Sequence, residues 1–278
     1  GVGLMRSTDG GDSWSPTALE FDLSETHTVS RVHRKAGTPS HILVATSDGI
    51  WVSEDDGATF ANTLSGLCSD LVPHPGDASV WYALLRPGEV QVSMDGGWNG
   101  EAVNGWPAPF GISRMALAVS STVPEEVWVV AARSSTQGLD GVFFSADSGQ
   151  TFEELPDVPN LLGYTVEGDD FGGQGFYDLT IAVDPLNEDH IVVGGVNLWS
   201  TEDHGGQWAC IGHWYGADSV PEVHADHHAV TFLPGTSDWV SAHDGGVARF
   251  RQGSMTPADC SEGLDIAQVY RVGLTDER

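Results

Sequence analysis

Ser145-Ala146-Asp147-Ser148-Gly149-Gln150-Thr151-Phe152 is the stretch on which the fold turns. It reads Ser-x-Asp-x-Gly-x-Ser/Thr-aromatic, and Ser7–Trp14 and Ser53–Phe60 keep the same spacing. Thr201–Trp208 is a further copy led by threonine. Ser93-Met94-Asp95-Gly96-Gly97 begins another, but its aromatic, Trp98, arrives too early. After Gly246–Phe250 the preceding strand is present and the box is lost. Such a box is a turn: Asp caps backbone N–H groups two residues on, and Gly supplies a positive φ. The closing aromatic is expected to bury itself between neighbouring sheets.

Each box follows a short apolar run: Gly49–Val52, Glu89–Val92, Gly141–Phe144 and Asn197–Trp199. Upstream lie further runs, such as His41–Ala45, Val80–Leu84, Val127–Ala131 and His190–Val193. Ser113–Val119 and Tyr177–Val183 begin the same units one strand earlier. The runs that precede the boxes start near residues 3, 49, 89, 141, 197 and 246. Roughly 40–50 residues carrying four strands is the length of a β-propeller blade. The expected fold is all-β, a propeller of about six to seven four-stranded blades, with a piece of a larger propeller as the alternative. The single domain 1–278 divides into a partial blade 1–20 and blades at about 21–65, 66–108, 109–160, 175–215 and 222–262. A further blade starts within 266–278.

Composition narrows the function. With 11 Lys+Arg against 40 Asp+Glu the net charge is −29, which excludes nucleic acid as a partner because little is present to neutralise phosphates. No apolar run approaches the roughly 18–20 residues of a membrane-spanning helix, so no membrane insertion is expected. Hydrophobic residues at 40% and ten Trp are enough for a sizeable core. The 35 glycines fit many tight turns. Cys68, Cys210 and Cys260 allow at most one bridge and leave one thiol over. The chain opens without an initiator Met or signal peptide, which reads as a processed form or a fragment.

The boxes resemble the Asp-box repeats, also called bacterial neuraminidase repeats, of sialidases, xyloglucanases, sortilin-type receptors and a photosystem assembly factor. The C-terminal half is similar to secreted bacterial repeat proteins described as glycosyl-hydrolase-like or sortilin-related. That second likeness rests on Gln174–Leu179, Asp184–Asn187, Val193–Trp199, His224–Ala229, His243–Val247 and Ala267–Val272. It implies a secreted or cell-surface, bacterial protein that recognises or hydrolyses glycans at its channel mouth. The alternatives are a non-catalytic, sortilin-like peptide-binding propeller and a structural segment of a large cell-surface protein. The sialidase pattern itself is missing, since no Arg-Ile-Pro or Arg-Leu-Pro start occurs. Arg31, Arg114 and Arg271 do fall on expected innermost strands.

Two stretches concentrate chemical side chains. Glu167–Asp178 is an acidic, Gly-rich loop entering an inner strand, with Asp169, Asp170, Tyr177 and Asp178. Its carboxylates, with Asp226, are the candidates for a glycosidase pair if the protein is an enzyme. The Val223–His228 stretch carries His224, Asp226, His227 and His228. In an extended strand the first, second and fourth of these share a face, and His227 points away. His243 and Asp244 lie one strand further on, and His213, Trp214 and Tyr215 lie just before the cluster. These are the candidate ligand-binding residues, because exposed rings stack on sugars and His or Asp bond hydroxyls. No cofactor or metal is expected from a motif; the acidic-loop carboxylates are the place where Ca²⁺ could be held, without the spacing of an EF-hand loop. Expected partners are a glycan or a peptide.

Overall fold

In the computed structural model, residues 3–22, 24–35, 37–38, 40–107, 111–217, 220–254 and 256–264 are described. The expected further strand in 266–278, Arg271 included, lies outside the described residues. Among those described there are 22 strands and no helix. The first sheet is a pair, β1 (Gly3–Arg6) and β2 (Ser15–Glu20). Five four-stranded antiparallel sheets follow in chain order. The second holds β3 (Val29–Arg34), β4 (Ile42–Thr46), β5 (Gly49–Ser53) and β6 (Ala61–Ser65). The third holds β7 (Cys68–Pro73), β8 (Trp81–Leu85), β9 (Glu89–Ser93) and β10 (Glu101–Ala102). The fourth holds β11 (Ile112–Val119), β12 (Val127–Arg133), β13 (Leu139–Ser145) and β14 (Glu153–Glu154). The fifth holds β15 (Thr180–Asp184), β16 (Asn187–Gly194), β17 (Leu198–Thr201) and β18 (Ala209–Gly212). The sixth holds β19 (His227–Phe232), β20 (Trp239–His243), β21 (Gly246–Phe250) and β22 (Ala258–Asp259).

Within each four-stranded sheet the strands pair in sequence order. The first strands β3, β7, β11, β15 and β19 touch one another in succession and form the inner edge. Core clusters fill the gaps between successive sheets. Alternation on β12 shows how: Val127, Val129 and Ala131 pack with Tyr82 and Leu84, while Trp128, Val130 and Ala132 pack with Ile191 and Trp199. A strand buried on both faces must be apolar at every position, hence its unbroken run. The fold is a β-propeller.

The boxes are hydrogen-bonded turns between the third and fourth strands. In one, Ser145 Oγ accepts Gly149 N at 2.9 Å and donates to Asp147 Oδ1 at 2.8 Å. Asp147 Oδ1 also accepts Thr151 N at 2.9 Å, and Oδ2 accepts Thr151 Oγ1 at 2.6 Å. The carboxylate therefore caps the N–H four residues on, not two. The N–H two residues after the leading hydroxyl goes instead to that hydroxyl, at 3.3 Å. The box glycines Gly11, Gly57, Gly97, Gly149 and Gly205 all have positive φ. The copy at Ser93 is geometrically complete, because Asn99 takes the Ser/Thr place and bonds Asp95 through N at 3.0 Å and Nδ2 at 2.5 Å. Of the closing aromatics, Phe152, Phe60 and Trp208 pack against the preceding sheet, whereas Trp14 is 60% exposed. It belongs to β1–β2, and no earlier sheet exists among the described residues to receive it. Cys68, Cys210 and Cys260 are all free thiols.

Candidate functional site

Antiparallel order fixes which loops share a face. The turns joining first to second and third to fourth strands lie at one end of the sheets, so the boxes share that end. Crossings between sheets, and the turns joining second to third strands, lie at the other. The crossings 155–179 and 213–226 and the turns at 195–197 and 244–245 therefore meet at the mouth opposite the boxes.

The inner edge brings its polar groups to that mouth through bulges. Pairing slips between Val29 and Arg31, Cys68 and Asp70, Ile112 and Arg114, and His227 and Ala229. A bulge breaks the two-residue period and re-aims a side chain. Arg31 Nε bonds the buried Asp70 carboxylate at 2.7 Å. Asp70 also accepts Leu117 N and Leu71 N, each at 3.0 Å. Arg114 donates to the carbonyl oxygens of Tyr177 and Leu179 at 2.6 and 3.3 Å, which pins the entry to β15. The two arginines thus serve protein acceptors, rather than standing open as two members of a triad.

Two asparagines and one histidine knit the crossings together. Asn160 Nδ2 donates to the carbonyls of Asp170 and Gly172 at 2.9 and 2.8 Å, and its Oδ1 accepts Leu139 N at 2.8 Å. Asn197 donates to Gly163 O at 3.1 Å and accepts Trp214 N at 3.1 Å. His213, fully buried, bonds Tyr164 O through Nε2 at 2.9 Å. Its place is beneath the rings of Trp214 and Tyr215. The glycines of the acidic loop permit close approach: a Cβ on Gly173 would stand 2.3 Å from Leu162 O.

Of the four carboxylates expected to do chemistry, Asp169 and Asp170 hold the loop. Asp169 Oδ1 accepts Thr165 Oγ1 at 3.0 Å, and Asp170 Oδ2 accepts Tyr164 N at 2.7 Å. Asp178 and Asp226 are brought together. Asp178 is fully buried with neither oxygen receiving a donor hydrogen bond. Burial and then the facing Asp226 push its carboxyl up to about 8, while Arg114 opposes the rise. At neutral pH the Asp178 carboxyl is therefore largely protonated. Gln174 Nε2 steadies Asp226 Oδ1 at 3.1 Å.

The histidine stretch departs from the expected pattern. The strand starts only at His227, Asp226 has φ +66, and His228 is the bulged residue. His224, Asp226 and His228 therefore do not project as one extended row. His224 instead stacks on His243, rings 5.6 Å apart, over Gly245, where a Cβ would meet its ring at 2.4 Å. His228 Nε2 bonds Asp244 Oδ1 at 2.7 Å, and Tyr177 Oη bonds both Asp244 oxygens at 3.1 and 3.2 Å. That hydrogen bond raises the Tyr177 phenol. His227 is fully buried, bonded to Ser241 at 2.7 Å, and burial drives it down to about 3, so it stays neutral. Burial also lowers His243. No group of three His, Cys, Asp or Glu among the described residues is placed to hold a metal ion.

Seven aromatic side chains are exposed among the described residues, and six lie on this mouth's loops: Tyr164, Phe171, Phe176, Tyr177, Trp214 and Tyr215. Trp214 and Tyr215 meet edge to face at 4.6 Å. Sequence reading overlooked Tyr164, Asn160, Gln174 and Asn197. For Tyr164 and Asn160 the sequence signal was only their place in a Gly-rich crossing, whereas Gln174 and Asn197 also fall in stretches that carry the second likeness. A groove of about 1380 Å³ lies elsewhere, lined by box residues including Asp95, Asn99, Gly149 and Thr151. The mouth, with its buried carboxyl and exposed rings, is the stronger candidate.

No family model and no curated protein matches the chain. Solved structures do. A GH74 enzyme of Niastella koreensis aligns with TM-score 0.58 and 16% identity over 94% of this chain and 48% of that one. The GH74 xyloglucanase of Xanthomonas campestris gives 0.56 and 19% over 98% and 42%. YCF48 from Cyanidioschyzon merolae gives 0.52 and 11% over 83% and 68%. The likeness is one of fold. The chain spans less than half the length of these GH74 enzymes.

Proposed function

We propose that this is a secreted or cell-surface Asp-box propeller that recognises glycans at the mouth opposite its boxes. The observation that carries the reading is the set of exposed rings on the loops of one mouth, Trp214, Tyr215, Phe176 and Tyr177, the last of them bonded to Asp244 and packed against His228. Flat rings stack on sugar faces, and the neighbouring polar groups bond hydroxyls. Five complete boxes support the Asp-box assignment.

Recognition is favoured over hydrolysis by the carboxyl pair. Glycosidase carboxyls flank the scissile bond at roughly 5–9.5 Å. Asp178 instead is fully buried, its carboxyl closed off from a sugar, so the two do not flank an open site. The test is binding to a panel of oligosaccharides by the protein and its Trp214→Ala and Tyr215→Ala variants. At least one glycan is expected to bind, and each ring deletion to weaken it about tenfold with melting temperature unchanged. Peptide binding with no sugar response would favour the peptide-binding alternative.

A further inference from the structure

At three boundaries between successive sheets, one sheet bonds the carbonyl of the fourth residue in the next sheet's box. Arg6 bonds Asp56 O and His41 Nε2 bonds Gly96 O, each at 2.9 Å, and Tyr82 Oη donates to Ser148 O at 3.2 Å. The sixth sheet has no box to offer. Phe250 pairs with Trp239 at the place where Ser53, Ser93, Ser145 and Thr201 lead the others. Between the fifth and sixth sheets, at the box end, there is instead a groove of about 260 Å³, lined by Ser200, His190 and Glu202 on one side and by Ser237, Trp239 and Arg251 on the other.

The lining has changed along with the loss of the box. Ser200 holds the position just before the leading hydroxyl, where Val52, Val92 and Phe144 pack into the core between sheets. His190 precedes the residue that pairs with the leading hydroxyl, the place His41 holds in the second sheet. Its Nδ1 lies 3.1 Å from Asp184 Oδ2, while Nε2 meets only the exposed Glu202, at 3.5 Å. Ser200 and Ser237 are 8% and 7% exposed, and among the described residues neither hydroxyl has a hydrogen-bond partner. A buried hydroxyl left unpaired is costly, and a polar occupant of the groove removes that cost. Ile211 and Phe250, with Trp239, make the rest of the wall apolar.

Chemistry narrows the occupant. No group of three His, Cys, Asp or Glu among the described residues is placed to hold a metal ion. An anion meets Glu202 and the net charge of −29. A cation meets Arg251, and Asp184 already accepts Leu186 N at 2.9 Å as well as facing His190. Hydroxyls remain: they both donate and accept, which suits two serines and an imidazole together. The volume is near the roughly 300 Å³ lower end of ligand pockets, enough for one ring and not for an oligosaccharide. We propose that this groove binds one neutral pyranose residue, its hydroxyls bonded to Ser200, Ser237 and His190 and its C–H face against Ile211 and the ring edges of Trp239 and Phe250. The site lies at the opposite end of the sheets from the mouth and stands whether or not the mouth binds glycans.

The test is titration of the protein with the methyl glycosides of glucose, galactose, mannose and xylose, followed through backbone amide shifts by NMR. At least one sugar is expected to shift the amides of Ser200, Ile211 and Ser237, with a dissociation constant of about 1–10 mM for a single ring. Ser200→Val, which installs the side chain that Val52 and Val92 supply at the same position, should weaken that binding about tenfold or more without lowering the melting temperature. Ser237→Ala should weaken it about fivefold. Trp214→Ala, at the mouth, should leave the groove shifts and their midpoint unchanged. No shift at these amides with any of the sugars means that the groove holds water only, and overturns the proposal. Shifts confined to 213–226 overturn it too and leave recognition at the mouth standing, as does groove binding whose affinity Ser200→Val does not alter.

Discussion

Replacing Asp178 by Asn removes the ionisable half of the carboxyl pair while keeping its shape. In the folded protein Asp178 is raised from 3.8 to about 8 by burial and Asp226. A carboxyl with a raised folded pKa binds more protons in the native state than in the unfolded state across that window. Stability therefore falls as pH rises from about 4 to about 8 and levels off above. Each pH unit inside the window corresponds to about 1.4 kcal/mol, so the whole window is worth at most about 5–6 kcal/mol. For a chain of this size that is roughly 3–5 °C of melting temperature per pH unit. The Asn variant lacks this slope. Thermal unfolding at pH 5, 6, 7, 8 and 9 should show the variant gaining on the wild type as pH rises, with the gap saturating near pH 8–9. Parallel curves for the two proteins would refute the buried, raised Asp178 carboxyl.

Other substitutions probe the frame around it. Asp147→Ala deletes the acceptor of Thr151 N and Thr151 Oγ1 and should cost about 1–3 kcal/mol of stability, read as a lower urea midpoint. Gly149→Ala forces a φ of +77 on alanine and sets its Cβ 2.9 Å from Tyr82; denaturant unfolding should show a loss of at least about 1–3 kcal/mol. Trp128→Ala, at a fully buried ring, should cost about 3–5 kcal/mol, whereas Trp14→Ala at the exposed end should stay within about 0.5 kcal/mol in the same assay. His213→Ala removes the tie to Tyr164 O and should speed hydrogen exchange in 160–176 and weaken glycan binding together; unchanged exchange there would separate His213 from the loop.

The strands and boxes were readable because their causes are local. A strand covered on both sides must be apolar throughout, as in Val127–Ala132, and a turn with two successive left-handed residues needs Gly149 and its counterparts. The box at Ser93 shows the limit of pattern matching: Asn99 supplies the same two donors as Ser or Thr, so the geometry survives a broken motif. The mouth was legible only as two suspicious stretches. Two-residue alternation failed at His224–His228 because Asp226 is left-handed and His228 is bulged, features set by sheet-to-sheet packing.

By itself, then, the sequence determined the repeat, the four-stranded unit and the residues that terminate its turns, since each depends on neighbours within a few positions. Tertiary structure alone decided which acids matter. Asp169 and Asp170 accept bonds inside their own loop, while Asp178 meets Asp226 from the next sheet. A carboxylate's chemistry follows from the donors, charges and water around it, and those arrive from chain segments far apart in sequence.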